Sequence, residues 1–186
     1  MGRPPRWNIL LQKRTAENKN YVANGVERMD QSMICLPSDV KTALEKTSFI
    51  KRYEMLSNTF NGERTPLNER LRYIDGEIVL DSLAQLGYKA HFESKEKYFW
   101  IEEVQIGTYT FSSNMILDGG LVDIVWIVKE NGNLILGLPI GEYSRLMIAP
   151  NYKIKKPIFG TYEDLDEIVE SVFKLFEDFK KAMTAS

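Results

Sequence analysis

The chain has 186 residues, 44% hydrophobic and 27% charged, with one cysteine and a formal net charge of −2. That is an ordinary globular balance, long enough to close a core, without the basic field of a nucleic-acid binder. A lone Cys35 excludes an internal disulfide or a cysteine-rich zinc site; no apolar run reaches membrane-spanning length, and the patch at residues 7–11 is too short for a signal-peptide core. A cytoplasmic protein is the expectation.

Residues 1–34 carry six basic and three acidic residues, a local +3 that leaves −5 on residues 35–186. This polar stretch lacks a sustained apolar period and reads as a basic N-terminal arm. From Pro37 the pattern is helical: Ser38 or Asp39 can cap, and Val40, Leu44, Ile50, Tyr53, Leu56 and Phe60 recur at helical spacing. A second helix is predicted to start at Thr65-Pro66, because proline at the first helical position loses only an amide that has no partner there. Its stripe is Leu67, Leu71, Ile74 and Ile78, continued past a kink at Gly76 by Leu80, Leu83 and Leu86, with Gly87 as the stop.

The period then changes to two. The runs YKAHFES, KYFWIEEVQI, TYTFSSNMIL, LVDIVWIV, NLILGL and YSRLMIA read as successive strands. Asn131-Gly132 is the strongest local signal, since both residues tolerate the positive φ of a type I′ hairpin turn. Thr161, with Asp164 at capping-box spacing, opens a long amphipathic helix, acidic at its start and basic toward its end as the helix dipole prefers. The predicted architecture is α+β over residues 35–186: two N-terminal helices, an antiparallel meander of about five or six strands, and a C-terminal helix packed on the sheet.

Asp123 interrupts the apolar run Leu-Val-Asp-Ile-Val-Trp-Ile-Val. A hairpin closed at Asn131-Gly132 in unbroken register sets Trp126 opposite Gly137 and Asp123 opposite Ile140. Glu142 is then a diagonal neighbour of Asp123, with Arg145 in reach of both carboxylates. Both faces of this strand are apolar, so it is expected to be central, with packing on both sides. Two acids at a sheet end fit an acid/base pair, half a metal site, or an Asp–Arg pair closing the core; the structural or recognition roles are favoured.

Motifs that carry chemistry are few. His91 is the only histidine, which rules out two-histidine ribonuclease chemistry and histidine-rich metal sites. No Walker-type or Gly-x-Gly-x-x-Gly loop occurs, and Ser144 has no Gly-x-Ser-x-Gly elbow. Glu93-Ser94-Lys95 at a strand end resembles the carboxylate–lysine half of the PD-(D/E)xK nucleases, in which the acid holds Mg²⁺ and the lysine assists the attacking water. The further acid that such a site needs on a neighbouring strand is absent, since Asp75, Glu77 and Asp81 fall in a helical pattern. NYKIKKPIF, residues 151–159, interleaves aromatics with Lys153, Lys155 and Lys156 and reads as a solvated connector with some capacity for phosphate.

By elimination the function is expected on the surface: a non-enzymatic protein-binding module without cofactor or metal. Aromatics give anchor area and acids select a basic partner. The candidate contact residues are Glu93, Tyr98, Trp100, Glu102, Asp123, Glu142, Glu163, Asp166 and Glu167. An immunity protein or antitoxin that blocks a basic, nuclease-like toxin has this profile. The alternatives are a Mg²⁺-dependent nuclease using Glu93 and Lys95, and a small-ligand protein with a pocket between meander and helices near Asp123 and Arg145.

Overall fold

A computed structural model describes residues 35–185; residues 1–34, where the arm is expected, and residue 186 lie outside the described residues. Five α-helices and one five-stranded antiparallel sheet follow in the order α1 (Ser38–Lys46), α2 (Phe49–Thr59), α3 (Gly76–Gln85), β1 (Ala90–Glu93), β2 (Tyr98–Ile106), β3 (Tyr109–Asp118), β4 (Leu121–Glu130), β5 (Asn133–Pro139), α4 (Tyr143–Met147) and α5 (Tyr162–Thr184). The sheet is a plain meander, β1-β2-β3-β4-β5. This is the α+β architecture that the change of period indicates.

Local chemistry explains most boundaries. The helical pattern that begins at Pro37 is divided at Ser48, whose φ of 52° is left-handed, so it forms α1 and α2 rather than one rod. The cap of α1 is Pro37, with neither Ser38 nor Asp39 acting through its side chain. Gly87 (φ 86°) closes α3 in a Schellman motif: Tyr88 N–H donates to the Leu83 carbonyl at 3.0 Å and Gly87 N–H to Ala84 at 2.9 Å. Thr161 Oγ1 accepts from Asp164 N–H at 3.1 Å, as the capping box demands, while Asp164 reaches back to Gly160 N–H rather than to Thr161.

Two elements differ from the sequence pattern. Residues 65–75 are not helical, and α3 begins at Gly76 with Asp75 as its cap. Tertiary contacts hold this segment out of a helix: Leu71 N–H donates to the Phe159 carbonyl and Asp75 N–H to the Tyr162 hydroxyl. YSRLMIA is helix α4 rather than a strand. Pro139 closes β5, and Ser144 Oγ ties the following turn to the carbonyls of Gly141 and Tyr152. Its apolar residues Tyr143, Leu146 and Met147 have helical spacing, a signal overridden by the alternation around them.

All five helices lie on one face of the sheet. Phe99 and Ile101 of β2, Phe111 and Met115 of β3, Val122, Ile124, Trp126 and Val128 of β4, and Leu136 of β5 are buried against them. Trp126 has no exposed surface. Its ring meets Phe49 of α2, Tyr143 of α4, and Phe176 and Phe179 of α5 at centroid distances of 5.0–5.9 Å. Phe111 adds edge contacts to the same two α5 rings. Such pairs contribute about 0.5–1.5 kcal/mol each beyond their burial. Among the described residues no helix is long and apolar enough to cross a membrane.

Candidate functional site

The opposite sheet face carries no helix of the described residues, and alternation decides which side chains reach it. On β1 and β2, Phe92 and Phe99 point to the helices, so the cross-strand pairs His91–Trp100 and Glu93–Tyr98 point away. The His91 and Trp100 rings stack at 4.3 Å with an interplanar angle of 26°. His91 Nε2 lies 3.0 Å from Glu102 Oε1, a hydrogen bond that requires the proton on that nitrogen. Asn114 of β3 and Val125 of β4 continue the row from Trp100. Trp100 is 37% exposed.

A bulge between Ile101 and Val104 sets Glu102 and Glu103 opposite a single residue of β3, so this stretch of strand presents two carboxylates in succession. Glu103 forms an ion pair with Lys129 of β4. At the other end, the β1–β2 turn is closed by Lys97 in the left-handed region (φ 56°), and Glu93 Oε1 accepts the Lys95 N–H at 3.1 Å. Glu93 therefore stabilises its own turn, with Tyr98 as its cross-strand neighbour. Asp123 lies three strands away, about 14 Å at the usual strand spacing, too far to share an ion with Glu93. Among the described residues no three His, Cys, Asp or Glu side chains group as metal ligands.

Asp123 has a different neighbourhood from the one an unbroken hairpin gives it. The turn is as expected, with Asn131 at φ 48° and Gly132 at φ 81°, and Glu130 pairs with Asn133. A bulge at Ile135 then shifts the ladder, so Gly137 opposes Ile127, and Trp126 opposes Leu138. Leu134, not Trp126, covers Gly137: a Cβ there would stand 3.4 Å from its Cδ2. β5 ends at Pro139 opposite Val125, and Asp123 meets the connector after α4 instead, where Val122 N–H donates to the Pro157 carbonyl. Lys156 Nζ donates to Asp123 Oδ2 at 2.6 Å; the carboxylate side chain is 9% exposed and the lysine 45%. Glu142 and Arg145 pair with each other at 2.8 Å, and Arg145 also holds the Pro150 carbonyl. β4 is flanked by β3 and β5, and Val122 through Trp126 are buried in succession, so this interior strand is packed on both faces at that end, as its sequence leads one to expect.

The remaining acids start α5. Asp166 accepts from Ser82 Oγ of α3 at 2.6 Å. The Glu163 carboxyl is held below the ordinary carboxylate range by a backbone N–H at the helix start and by the Thr161 hydroxyl. Glu167 is exposed. Because α5 packs on the helix-covered face, these residues do not join the Trp100 cluster. The nine candidate contact residues thus divide: Glu93, Tyr98, Trp100 and Glu102 form one surface, Glu163, Asp166 and Glu167 a second, while Asp123 and Glu142 are engaged in separate ion pairs.

Sequence reasoning missed a cleft of about 510 Å³ between α2 and the connector, where Ser57 and Asn58 face Lys153, Lys155 and Lys156. Ser57 and Asn58 carry no motif, and only the approach of residues 153–158 makes a wall of them. Arg145 is not among the lining residues, and Asp123 borders the cleft through Lys156 alone. No protein-family model matches the sequence, and neither a curated protein nor a solved structure matches it.

Proposed function

We propose that this protein is a non-enzymatic binding module that seats a basic protein on the sheet face opposite the five helices, around Trp100. In its most concrete form it is an inhibitor of the immunity-protein or antitoxin kind, blocking a cationic, nuclease-like toxin. The observation that carries the reading is the stacked His91–Trp100 pair with Glu102 bonded to the imidazole, on the face opposite the helices of the described residues. A half-exposed indole held rigid by stacking supplies anchor area at low entropic cost. Glu93, Glu102 and Glu103 around it favour lysine and arginine and repel acidic surfaces. Lys129 is engaged by Glu103, and the exposed Lys89, Lys95 and Lys97 lie at the start of β1 and in its turn to β2, so the carboxylates nearest the indole are Glu93 and Glu102.

The test is purification of the tagged protein from its native cells, with and without a Mg²⁺ chelator, comparing wild type with Trp100→Ala, Glu102→Lys and Glu163→Lys. One basic protein in stoichiometric amount is expected, retained under chelation, released by salt, lost in the first two variants and kept in the third. Equal retention by Trp100→Ala and Glu102→Lys sinks the reading. So does the absence of a partner together with Mg²⁺-dependent cleavage of nucleic acid that Lys95→Ala abolishes, which is the nuclease outcome.

A further inference from the structure

The connector between α4 and α5 is extended, with Ile154 buried in the core. Alternation therefore turns Lys153 and Lys155 outward together, along one wall of the cleft against α2. Lys156 is committed to Asp123, but neither Lys153 nor Lys155 forms an ion pair with any described residue. A third cation stands near the Gly62 end. Arg70 Nη2 lies 3.7 Å from where a Cβ on Gly62 would be, and Arg70 Nε is buried without an acceptor among the described residues.

The facing wall is polar and neutral at Ser57 and Asn58 and acidic at Glu54 and Glu63. Glu54 already accepts the Tyr152 hydroxyl at 2.6 Å, which fixes its carboxylate at the rim. The two carboxylates restrict the ligand: a triphosphate or a nucleic-acid backbone meets repulsion, whereas a single phosphate can take the lysines and leave its hydroxyls to the acids and the amide. The volume lies within the usual range for small-molecule sites.

We propose that this cleft binds a small phosphate monoester bearing hydroxyl groups, with the phosphate on Lys153 and Lys155 and the hydroxyls on Glu54 and Asn58. The site is separate from the sheet face, and occupancy of one does not require the other.

The probe is ribose 5-phosphate, titrated calorimetrically into the full chain, with ribose and inorganic phosphate as controls. Saturable binding is expected, weakened about tenfold or more in Lys153→Ala/Lys155→Ala, a variant of exposed side chains whose fold is checked by circular dichroism. Trp100→Ala and Glu102→Lys should bind as wild type does. Absence of saturation at roughly 10 mM overturns the proposal, as does affinity unchanged in the double lysine variant. Inorganic phosphate binding as tightly as ribose 5-phosphate overturns the assignment of the hydroxyls.

Discussion

Trp126 and Trp100 stand on opposite faces of one sheet. The first is fully buried against four aromatic rings from three helices; the second is 37% exposed and stacks on His91 alone. The same residue type is a keystone of packing in one place and a presented surface in the other. What separates them is the element above each strand. Covered by α5, an indole contributes burial and dispersion; left partly exposed, it retains that capacity for a partner.

The largest effect that can break this comparison is on stability. Trp126→Ala should cost about 3–5 kcal/mol in urea denaturation, since the cavity is ringed by side chains on rigid elements. An effect below about 1 kcal/mol contradicts the packing described for that face. Alkaline pH probes the same face without mutation. Burial, and for Tyr53 also the negative charge of Asp123, raises the Tyr53 and Tyr143 phenols well above their ordinary value of 10.0. With folded values above unfolded ones, their contribution is complete below the unfolded value and is lost as pH rises from there through the folded value. Each should steepen the fall in unfolding free energy above pH 10 by about 1.4 kcal/mol per pH unit. Tyr143→Phe should flatten that slope.

Asp123 is the informative case between the two faces, a nearly buried acid on the side away from the helices, where the connector bearing Lys156 meets the sheet. Lys156→Ala leaves its carboxylate without a cation and should cost about 1–2 kcal/mol, less than a fully buried pair because the lysine is half exposed. Combining it with Asp123→Asn should recover part of the loss; full additivity of the two variants in denaturation would show the pair to be uncoupled. The smallest expected change is Trp100→Ala, within about 0.5 kcal/mol in stability. A loss of several kcal/mol there would make the indole a packing residue and remove the basis for a docking surface.

The elements governed by local chemistry were legible in the sequence. Gly87, Thr161 with Asp164, and Asn131-Gly132 impose their geometry through their own backbone and side-chain preferences, and each acts where its type predicts. Periodicity identified the meander and the long last helix, because a half-buried strand or helix must repeat its apolar residues at the element's own period. The neighbourhood of Asp123 was not legible. A single extra residue, Ile135, slips the β4–β5 ladder, and the strand ends at Pro139 and turns into α4 before it reaches Asp123, so Glu142 and Arg145 pair with each other. Nothing in NLILGL specifies that bulge, since an apolar alternation fits either register. Residues 65–75 followed the same logic: their apolar spacing suits a helix, but bonds to Phe159 and Tyr162, distant in sequence, outweigh a weak local propensity. The sequence by itself determined the class of fold and the inventory of aromatics, acids and lysines. Tertiary structure alone decided which of them share a surface, because adjacency across strands and between α2 and the connector depends on register and packing between distant segments.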